Sequence, residues 1–248
     1  MTDFGFLPSK IDRVVVLSGA GISAESHVPT FRGEDGLWKN YRAEQLATPE
    51  AFSANPELVW EWYAWRRSLI SKCEPNAAHH ACAKLEKALP ESWIVTQNVD
   101  GLHRRAGAEK IVEIHGSIWK IRTMDRREER FDWDPETGST PELIPWSEAQ
   151  PRRMLRPGVV WFGESLPEDG LDKAVELCRT ADLCVVVGTS GLVFPAAGFP
   201  EIAKHAGVPV IDINVQPTNI SSYADAFIKG PAGEALPPLV DEIIARSG

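Results

Sequence analysis

His115 is the side chain best placed for acid–base chemistry in this chain. It follows the apolar run 111–114, which predicts a short strand, and Gly116 and Ser117 come next. An imidazole titrates near neutral pH, so it can take or give a proton. A lone histidine is more often structural than catalytic, but a strand end with a glycine beside it favours acid–base work.

Polar residues also follow the apolar run 93–96. Gln97, Asn98 and Asp100 lie in the sequence TQNVDGLH at 96–103. Open α/β sheets bind ligands at the carboxyl ends of their strands, so side chains at this position indicate a binding site. A plain Asn-x-Asp-Gly turn is the alternative interpretation.

Two further strand ends carry small polar residues. The sequence Gly188-Thr189-Ser190 follows the run 183–187, and Asn214 follows the run 210–213. Each of these ends could hold the adenosine half of a dinucleotide, because both lie at the same edge of the predicted sheet.

A glycine-rich turn follows the β-branched run 14–17. The sequence GAGISA at 19–24 fits the pattern G-x-G-x-x-G/A, in which glycines let the backbone approach a pyrophosphate. A turn without a ligand is the alternative. A dehydrogenase would continue into a second strand, whereas this chain shows none, so the nucleotide would bind differently. Phe31 and Arg32 could then cover it, although Arg32 could equally be an ordinary surface arginine.

The apolar runs and the helix-like stretches between them predict the fold class. Strands alternating with helices indicate a parallel sheet. We therefore predict an α/β fold with a doubly wound, mostly parallel Rossmann-like sheet and a smaller inserted domain. The predicted strands are 14–17, 93–96, 111–114, 183–187 and 210–213, and the predicted helices are 58–70, 77–88, 171–180, 195–206 and 236–246.

Composition narrows the range of partners. The chain has 248 residues and a net charge of −9, which repels phosphate backbones, so we expect no nucleic-acid partner but a cationic protein or peptide. The sequence predicts neither a membrane span nor a secretory signal, and the four cysteines form no CxxC pair. We expect a soluble cytoplasmic protein with reduced cysteines.

Six motifs in order and spacing resemble those of the sirtuins, over nearly the whole chain. They are GAGIS at 19–23, PTFRG at 29–33, TQNVDGLH at 96–103, HGS at 115–117, FGE at 162–164 and GTS at 188–190. The resemblance implies an NAD-binding domain of residues 1–33, 74–117 and 157–248. A small domain would comprise residues 34–73 and 118–156, with NAD and an acylated-lysine protein or peptide meeting between the two.

The resemblance also implies roles for individual residues. His115 would take a proton from a ribose hydroxyl, with Gln97, Asn98 and Asp100 as further catalytic residues around the nicotinamide ribose. Val160, Trp161, Phe162 and Gly163 would pair with the substrate backbone. The cofactor-binding residues would be Gly19, Ala20, Gly21, Ile22, Glu25, Phe31, Arg32, Gln97, Asn98, Asp100, Gly188, Thr189, Ser190, Asn214, Val215 and Ala232.

The implied reaction is NAD-dependent removal of acyl groups from lysine, giving nicotinamide, free lysine and acylated ADP-ribose. ADP-ribosyl transfer or NAD hydrolysis is a second interpretation, because both use the same loosened ribose. A non-catalytic NAD sensor is a third. Intact His115 and the pair Tyr63 and Arg66 favour deacylation over the second interpretation. A replaced His115 or Asn98 would have indicated the sensor, and both residues are present.

Tyr63 and Arg66 further resemble the sirtuin branch that removes succinyl and malonyl groups. Residues at i and i+3 of a helix share a face, so both side chains can reach one ligand. Arginine can grip a carboxylate with two hydrogen bonds, and tyrosine adds a donor. In that branch a small residue, here Ala47, widens the acyl pocket. An aromatic helix that merely packs, with a solvated Arg66, is the alternative.

One feature departs from the resemblance. Sirtuins usually hold a structural zinc with two CxxC pairs, in the segment that corresponds here to residues 118–157. This segment contains neither cysteine nor histidine, so a Cys₄ site cannot form there. We therefore expect no bound metal.

Overall fold

A computed structural model describes residues 4–28, 41–123, 129–131 and 155–247 of the chain. A six-stranded parallel sheet forms its centre, with strand order β3-β2-β1-β7-β8-β9. The strands are β1 (Val14–Ser18), β2 (Trp93–Thr96), β3 (Ile111–Glu113), β7 (Leu183–Val187), β8 (Val210–Asn214) and β9 (Ala226–Lys229). The predicted fold class and five of these strands are confirmed. The sixth, β9, is half-buried and lies at the sheet edge, so its sequence lacks a strong apolar run.

Helices cover both faces of this sheet. Helices α4 (Ala77–Ala88) and α8 (Ala232–Ala245) pack with Val14 and Val16 on one face. Helices α6 (Glu168–Thr180) and α7 (Phe199–His205) pack with Val15 and Leu17 on the other. Successive side chains of a strand point to opposite faces, which is why β1 is apolar at every position of its run.

A second, antiparallel sheet has the strand order β5-β4-β6. Its strands are β4 (Gly116–Thr123), β5 (Glu129–Phe131) and β6 (Leu155–Val159), and the sequence did not predict them. They lie in a segment whose charges, tryptophans and prolines show no clear period. Three helices accompany this sheet: α1 (Ala43–Leu46), α2 (Pro49–Ala54) and α3 (Pro56–Ile70). A short helix α5 (Leu102–Arg105) follows β2.

The helix that carries Tyr63 and Arg66 has well-defined ends. The side chain of Asn55 caps α3 by accepting a hydrogen bond from the Leu58 N–H, and Pro56 occupies the first turn. Trp62 and Tyr63 of α3 pack with Ile118 and Trp161 in a third core cluster. The prediction of a helix over 58–70 is confirmed, with a start two residues earlier.

Two of the predicted domain boundaries fall within strands. The division between 117 and 118 lies inside β4, and the division between 156 and 157 lies inside β6. The assignment of two domains stays a prediction. All four cysteines are buried and free, and none of the described helices is long and apolar enough to span a membrane.

Candidate functional site

A cavity of about 930 Å³ opens at the carboxyl ends of β1, β2, β7 and β8. Its wall combines the turns after these strands with α3 and the segment that follows β6. The predicted site residues in the wall are Gly19, Ala20, Gly21, Ala47, Tyr63, Arg66, Gln97, Asn98, His115, Val160, Trp161, Phe162, Gly163, Gly188, Thr189, Ser190 and Asn214. One cavity thus brings together residues from 19 to 214.

The glycine turn packs against the turn after β7. The Gly21 N–H donates to the Gly188 carbonyl oxygen at 2.7 Å, and a Cβ on Gly21 would lie 2.7 Å from the Gly188 Cα. Gly188 has φ +61°, and a Cβ there would lie 2.4 Å from the Ile22 nitrogen. These glycines are therefore required first for the contact between two loops. The turn opens a 3₁₀ helix, Ala20–Ser26, with the N-cap at Gly19.

Gln97 and Asn98 connect the turn after β2 to its neighbours. The Gln97 side-chain amide donates to the Thr189 hydroxyl at 3.0 Å. The Asn98 amide donates to the Gly19 carbonyl oxygen and to the Ser23 hydroxyl, both at 3.1 Å. These bonds leave both side chains in the cavity wall with their orientation fixed.

Asp100 lies beneath the cavity and is 4% exposed. Its carboxylate accepts hydrogen bonds from the Ser23 hydroxyl at 2.7 Å and the Leu102 N–H at 2.9 Å. Burial raises the pKa of Asp100, and these bonds oppose the shift. Asp100 therefore supports Ser23, which in turn accepts from Asn98.

Two buried histidines extend this polar layer. The His103 Nε2 lies 2.9 Å from the Ser18 hydroxyl, and the His79 Nε2 lies 3.3 Å from the Ser23 hydroxyl. Burial lowers the pKa of His103 to about 3 and that of His79 to about 4, so both rings are neutral at pH 7. His79 was not among the predicted site residues, because a histidine within a helix gives no local signal of such a hydrogen-bond partner.

His115 lies in the cavity wall at the junction of β3 and β4. Its Nδ1 lies 3.0 Å from the Gln97 carbonyl oxygen, which can only accept, so Nδ1 carries the proton. The Nε2 lone pair is then available. Burial lowers the pKa of His115, and the bond to Gln97 partly opposes this. A neutral ring with a free Nε2 can act as a base at neutral pH.

The Tyr63 hydroxyl and the Arg66 guanidinium face the same cavity from α3. Tyr63 is 3% exposed and Arg66 is 6% exposed, so the pair is far more buried than a solvated surface pair. The Trp161 indole N–H donates to the Tyr63 hydroxyl at 2.9 Å. Burial raises the pKa of Tyr63 to about 12, which keeps the phenol protonated. Burial also lowers the pKa of Arg66, while Tyr63 and Asp100 raise it.

The segment 160–163 has most of its N–H groups already bonded. The Val160 N–H donates to the His115 carbonyl oxygen at 2.8 Å, and the Phe162 N–H donates to that of Ala47 at 3.0 Å. The Trp161 N–H donates to the Glu164 carboxylate at 2.8 Å. Pairing with a peptide backbone would therefore use carbonyl oxygens or the Gly163 N–H.

Comparison with known proteins assigns the chain to a family. Residues 19–195 match the Sir2 family. An NAD-dependent protein deacylase from Aquifex aeolicus is 50% identical over 95% of this chain and 97% of its own length. NAD-dependent protein deacylase 2 from Pyrobaculum aerophilum is 50% identical over 94% of this chain and 91% of its own.

This chain belongs to the Sir2 family. Among solved structures, a Sir2 homologue–NAD complex is 43% identical, with a TM-score of 0.85 over 95% of this chain and 90% of that one. A Sir2–p53 peptide–NAD⁺ complex is 29% identical, with a TM-score of 0.81 over 98% of both chains. The predicted membership of the sirtuin family is confirmed.

Some predicted site residues of this Sir2 chain lie away from the described cavity wall. Ile22 and Asp100 are buried behind it, Ala232 is 6% exposed, and Val215 is 59% exposed. The Glu25 carboxylate accepts the Gly233 N–H at 2.6 Å, at the start of α8. A carboxylate is favourable at a helix N-terminus, which gives Glu25 a structural role. Phe31 and Arg32 lie outside the described residues.

The Sir2 cavity also has wall residues that the sequence analysis did not assign to the site. Most follow β7 or β8, so the rule that ligands bind at strand ends, applied further along each loop, would have found them. They are Glu44, Val99, Val159, Glu164, Leu166, Leu192, Val193, Phe194, Pro195, Gln216, Pro217, Thr218 and Asn219.

Proposed function

We propose that this protein is an NAD-dependent protein-lysine deacylase that prefers acidic acyl groups such as succinyl and malonyl. One observation carries the proposal: His115 and the Tyr63–Arg66 pair line a single cavity, which extends from the glycine turn to Asn214. One bound acyl-lysine could then reach three features of the cavity. These are the proposed base, a space large enough for a nucleotide, and the buried donors Tyr63 and Arg66, which can bind a negative charge.

The strand-end residues fit NAD. The glycine turn leaves the backbone exposed to the cavity, and Ser190 and Asn214 supply polar groups at its far end. Gln97 and Asn98 are oriented by their bonds to Thr189 and Gly19 and would face the nicotinamide ribose. When bound, NAD supplies a ribose carbon from which nicotinamide can leave, so the acyl oxygen can attack it. Asp100 supports these residues from beneath through Ser23 and Asn98.

His115 would act as the base. Its Nδ1 is committed to the Gln97 carbonyl oxygen, so Nε2 can take the proton from a ribose hydroxyl. Burial favours the neutral ring, and a neutral ring is the form that accepts a proton. Asn98 and Gln97, which line the same cavity as His115, would hold the ribose of bound NAD.

The acyl end of the cavity suits a carboxylate. A buried carboxylate costs several kcal/mol unless charged or polar groups pair with it. Arg66 offers a planar fork of donors, and the protonated Tyr63 hydroxyl adds one more. Ala47, the small residue expected to widen the acyl pocket, also lines the cavity. An acetyl group would leave Arg66 and Tyr63 without that partner.

The experiment compares one lysine peptide carrying acetyl, succinyl, malonyl or glutaryl groups, with and without NAD, followed by mass spectrometry. The wild type should give nicotinamide, free lysine peptide and acylated ADP-ribose, with succinyl removed faster than acetyl. Nicotinamide release without peptide deacylation would instead indicate an NAD hydrolase or ADP-ribosyltransferase. Binding of NAD without turnover would indicate a sensor.

Arg66→Met tests the acyl preference. Hydrogen bonds to a charged group are worth about 1.5–3 kcal/mol, so the succinyl-to-acetyl ratio of kcat/KM should fall by roughly 10- to 150-fold. Arg67→Met is the matched control, because Arg67 is buried one position further on and donates to the Ile118 carbonyl oxygen. The control should keep the ratio. Equal losses for both acyl groups in Arg66→Met would refute the preference.

A further inference from the structure

We propose that Trp161 is a positioning residue for acyl selectivity, because its indole N–H directs the Tyr63 hydroxyl proton toward the acyl carboxylate. This inference rests on the proposed function. Trp161 does not itself contact the acyl carboxylate in this proposal. It sets the direction of the Tyr63 hydroxyl, which is one of the two groups that would bind that carboxylate.

The hydrogen bond between Trp161 and Tyr63 has a fixed direction. An indole N–H can only donate, so the Tyr63 oxygen accepts at 2.9 Å. Trp161 is 2% exposed and Tyr63 is 3% exposed, so water does not compete freely for this bond. The Tyr63 proton must therefore point away from the indole. Within the described residues the hydroxyl donates to no protein acceptor, and Tyr63 lines the cavity.

Trp161 itself is held from three sides. Its main-chain N–H donates to the Glu164 carboxylate at 2.8 Å. The Arg156 guanidinium carbon lies 3.3 Å from the centre of the Trp161 ring, a cation–π contact. The Phe52 ring packs against it with centroids 5.1 Å apart. The indole cannot turn to follow a different hydroxyl position without breaking these contacts.

Two buried arginines anchor this arrangement. Arg156 donates to both Glu164 oxygens, at 2.5 and 2.9 Å, and Arg122 donates to Glu164 at 3.2 Å. Both arginines also donate to the Val159 carbonyl oxygen. Burial alone would raise the pKa of Glu164, but the hydrogen bonds and the charge of Arg156 lower it to about 2. Glu164 is therefore a carboxylate at neutral pH, and its hydrogen bonds connect Arg122 of β4 and Arg156 of β6 to the Trp161 N–H.

The two donors then have separate tasks. Arg66 supplies the charge that makes an acidic acyl group favourable in the cavity. Trp161 fixes the direction of the second donor, the Tyr63 hydroxyl. Its proton therefore points toward the acyl carboxylate before the substrate binds. Without the indole N–H, the phenol could rotate and donate elsewhere, and part of that preorganisation would be lost.

The test replaces the indole but keeps an aromatic ring, as Trp161→Phe. The succinyl-to-acetyl ratio of kcat/KM should fall by about 2- to 10-fold, the value of one neutral hydrogen bond. Trp119→Phe is the matched control. Trp119 is also buried, and its indole N–H donates to the Asp100 carbonyl oxygen rather than to the Tyr63 hydroxyl. Trp119→Phe should keep the ratio, even if both rates fall.

A double-mutant cycle separates positioning from general damage. In a Tyr63→Phe background the ratio should no longer respond to Trp161→Phe, since the hydroxyl that Trp161 directs is gone. The indole ¹H–¹⁵N resonance of Trp161 should also shift in Tyr63→Phe. A wild type without preference for succinyl overturns the proposed function and this inference together. A wild type that prefers succinyl, with the ratio unchanged in Trp161→Phe, overturns this inference alone.

Discussion

At the scale of the residue, the site depends on groups whose protonation is set by burial. His115 keeps a neutral ring, because burial disfavours the imidazolium, and its proton is committed to a backbone oxygen. Tyr63 remains a phenol for the same reason, since burial disfavours the phenolate. The cavity therefore offers one proton acceptor and one proton donor over the neutral range.

His115→Ala should lower NAD-dependent deacylation by about 10²- to 10⁴-fold, the usual contribution of a general base. The circular dichroism spectrum and the thermal midpoint should stay close to the wild type. In the wild type, kcat/KM should rise with pH through the lowered pKa of His115, below its usual value of 6.5, and then level off. Near-normal turnover in a folded His115→Ala protein would exclude His115 as the base.

The buried histidines predict a loss of stability in mild acid. Their folded-state pKa values, about 4 for His79 and about 3 for His103, lie below the unfolded value of 6.5. The unfolded chain therefore binds more protons below pH 6.5, and stability falls as the pH drops from 6.5 toward 4. Each unit by which the folded and unfolded pKa values differ contributes about 1.4 kcal/mol to the free energy of unfolding. Urea unfolding at pH 7.5, 6.0 and 5.0 measures this slope.

His103→Asn should reduce that slope, because one buried titrating group is removed. His205→Gln is the control, since His205 lies exposed at the end of α7. A slope that is the same in His103→Asn and His205→Gln would contradict the assignment of the acid sensitivity to the polar layer under the site.

At the scale of the element, the site is built where loops from different strands touch. The turns after β1 and β7 approach so closely that only glycine fits, at Gly21 and Gly188. The turn after β2 is bonded to both, through Gln97 and Asn98. The strand ends therefore behave as one unit, and a change in one loop should be felt by the others.

Gly188→Ala should destabilise the protein by more than about 2 kcal/mol and abolish NAD binding. Its φ of +61° disfavours a side chain, and the new Cβ would meet the Ile22 nitrogen. Gly170→Ala is the opposite case, because Gly170 lies in α6 and its nearest contact would be 3.8 Å away. It should stabilise by roughly 0.5–1 kcal/mol. Urea unfolding and NAD titration of both variants measure these effects. A Gly188→Ala protein with wild-type stability and NAD binding would refute the loop contact.

At the scale of the whole molecule, the two sheets are joined by continuous chain at the site. β4 begins directly after His115, and β6 ends directly before Val160. The bond from the Val160 N–H to the His115 carbonyl oxygen ties these two junctions together. His115, the proposed base, and the segment expected to hold the peptide thus lie where the sheets meet.

The absence of structural zinc stays a prediction of the sequence. Residues 118–157 contain no cysteine or histidine, and the described residues hold no cluster that could bind a metal. Metal analysis of protein purified without chelator should find far less than one zinc per chain, and EDTA should leave the thermal midpoint unchanged. Stoichiometric zinc whose removal unfolds the protein would contradict this. The cytoplasmic location likewise remains a prediction.

Features that depend on neighbouring residues could be predicted from local sequence. A doubly buried strand must be apolar at each position, so β1, β2 and β7 could be located from their runs alone. His115 and Gln97 were predicted as site residues because each directly follows an apolar run, and Asn98 comes one position after Gln97. The antiparallel strands β4 and β6 escaped detection, since Arg122 and Arg156 are buried against Glu164 and do not form a solvent-facing alternation.

Which distant residues share the site became clear from the folded chain and not from local sequence. Trp161 and Tyr63 are 98 residues apart, and nothing local in either segment marks them as a hydrogen-bonded pair. Glu25 and the start of α8 are likewise joined by a hydrogen bond although they are 208 residues apart. Such contacts depend on how the helices and both sheets pack together. Packing is a property of the whole chain, so local patterns predict the groups that do chemistry but not the groups that hold them in place.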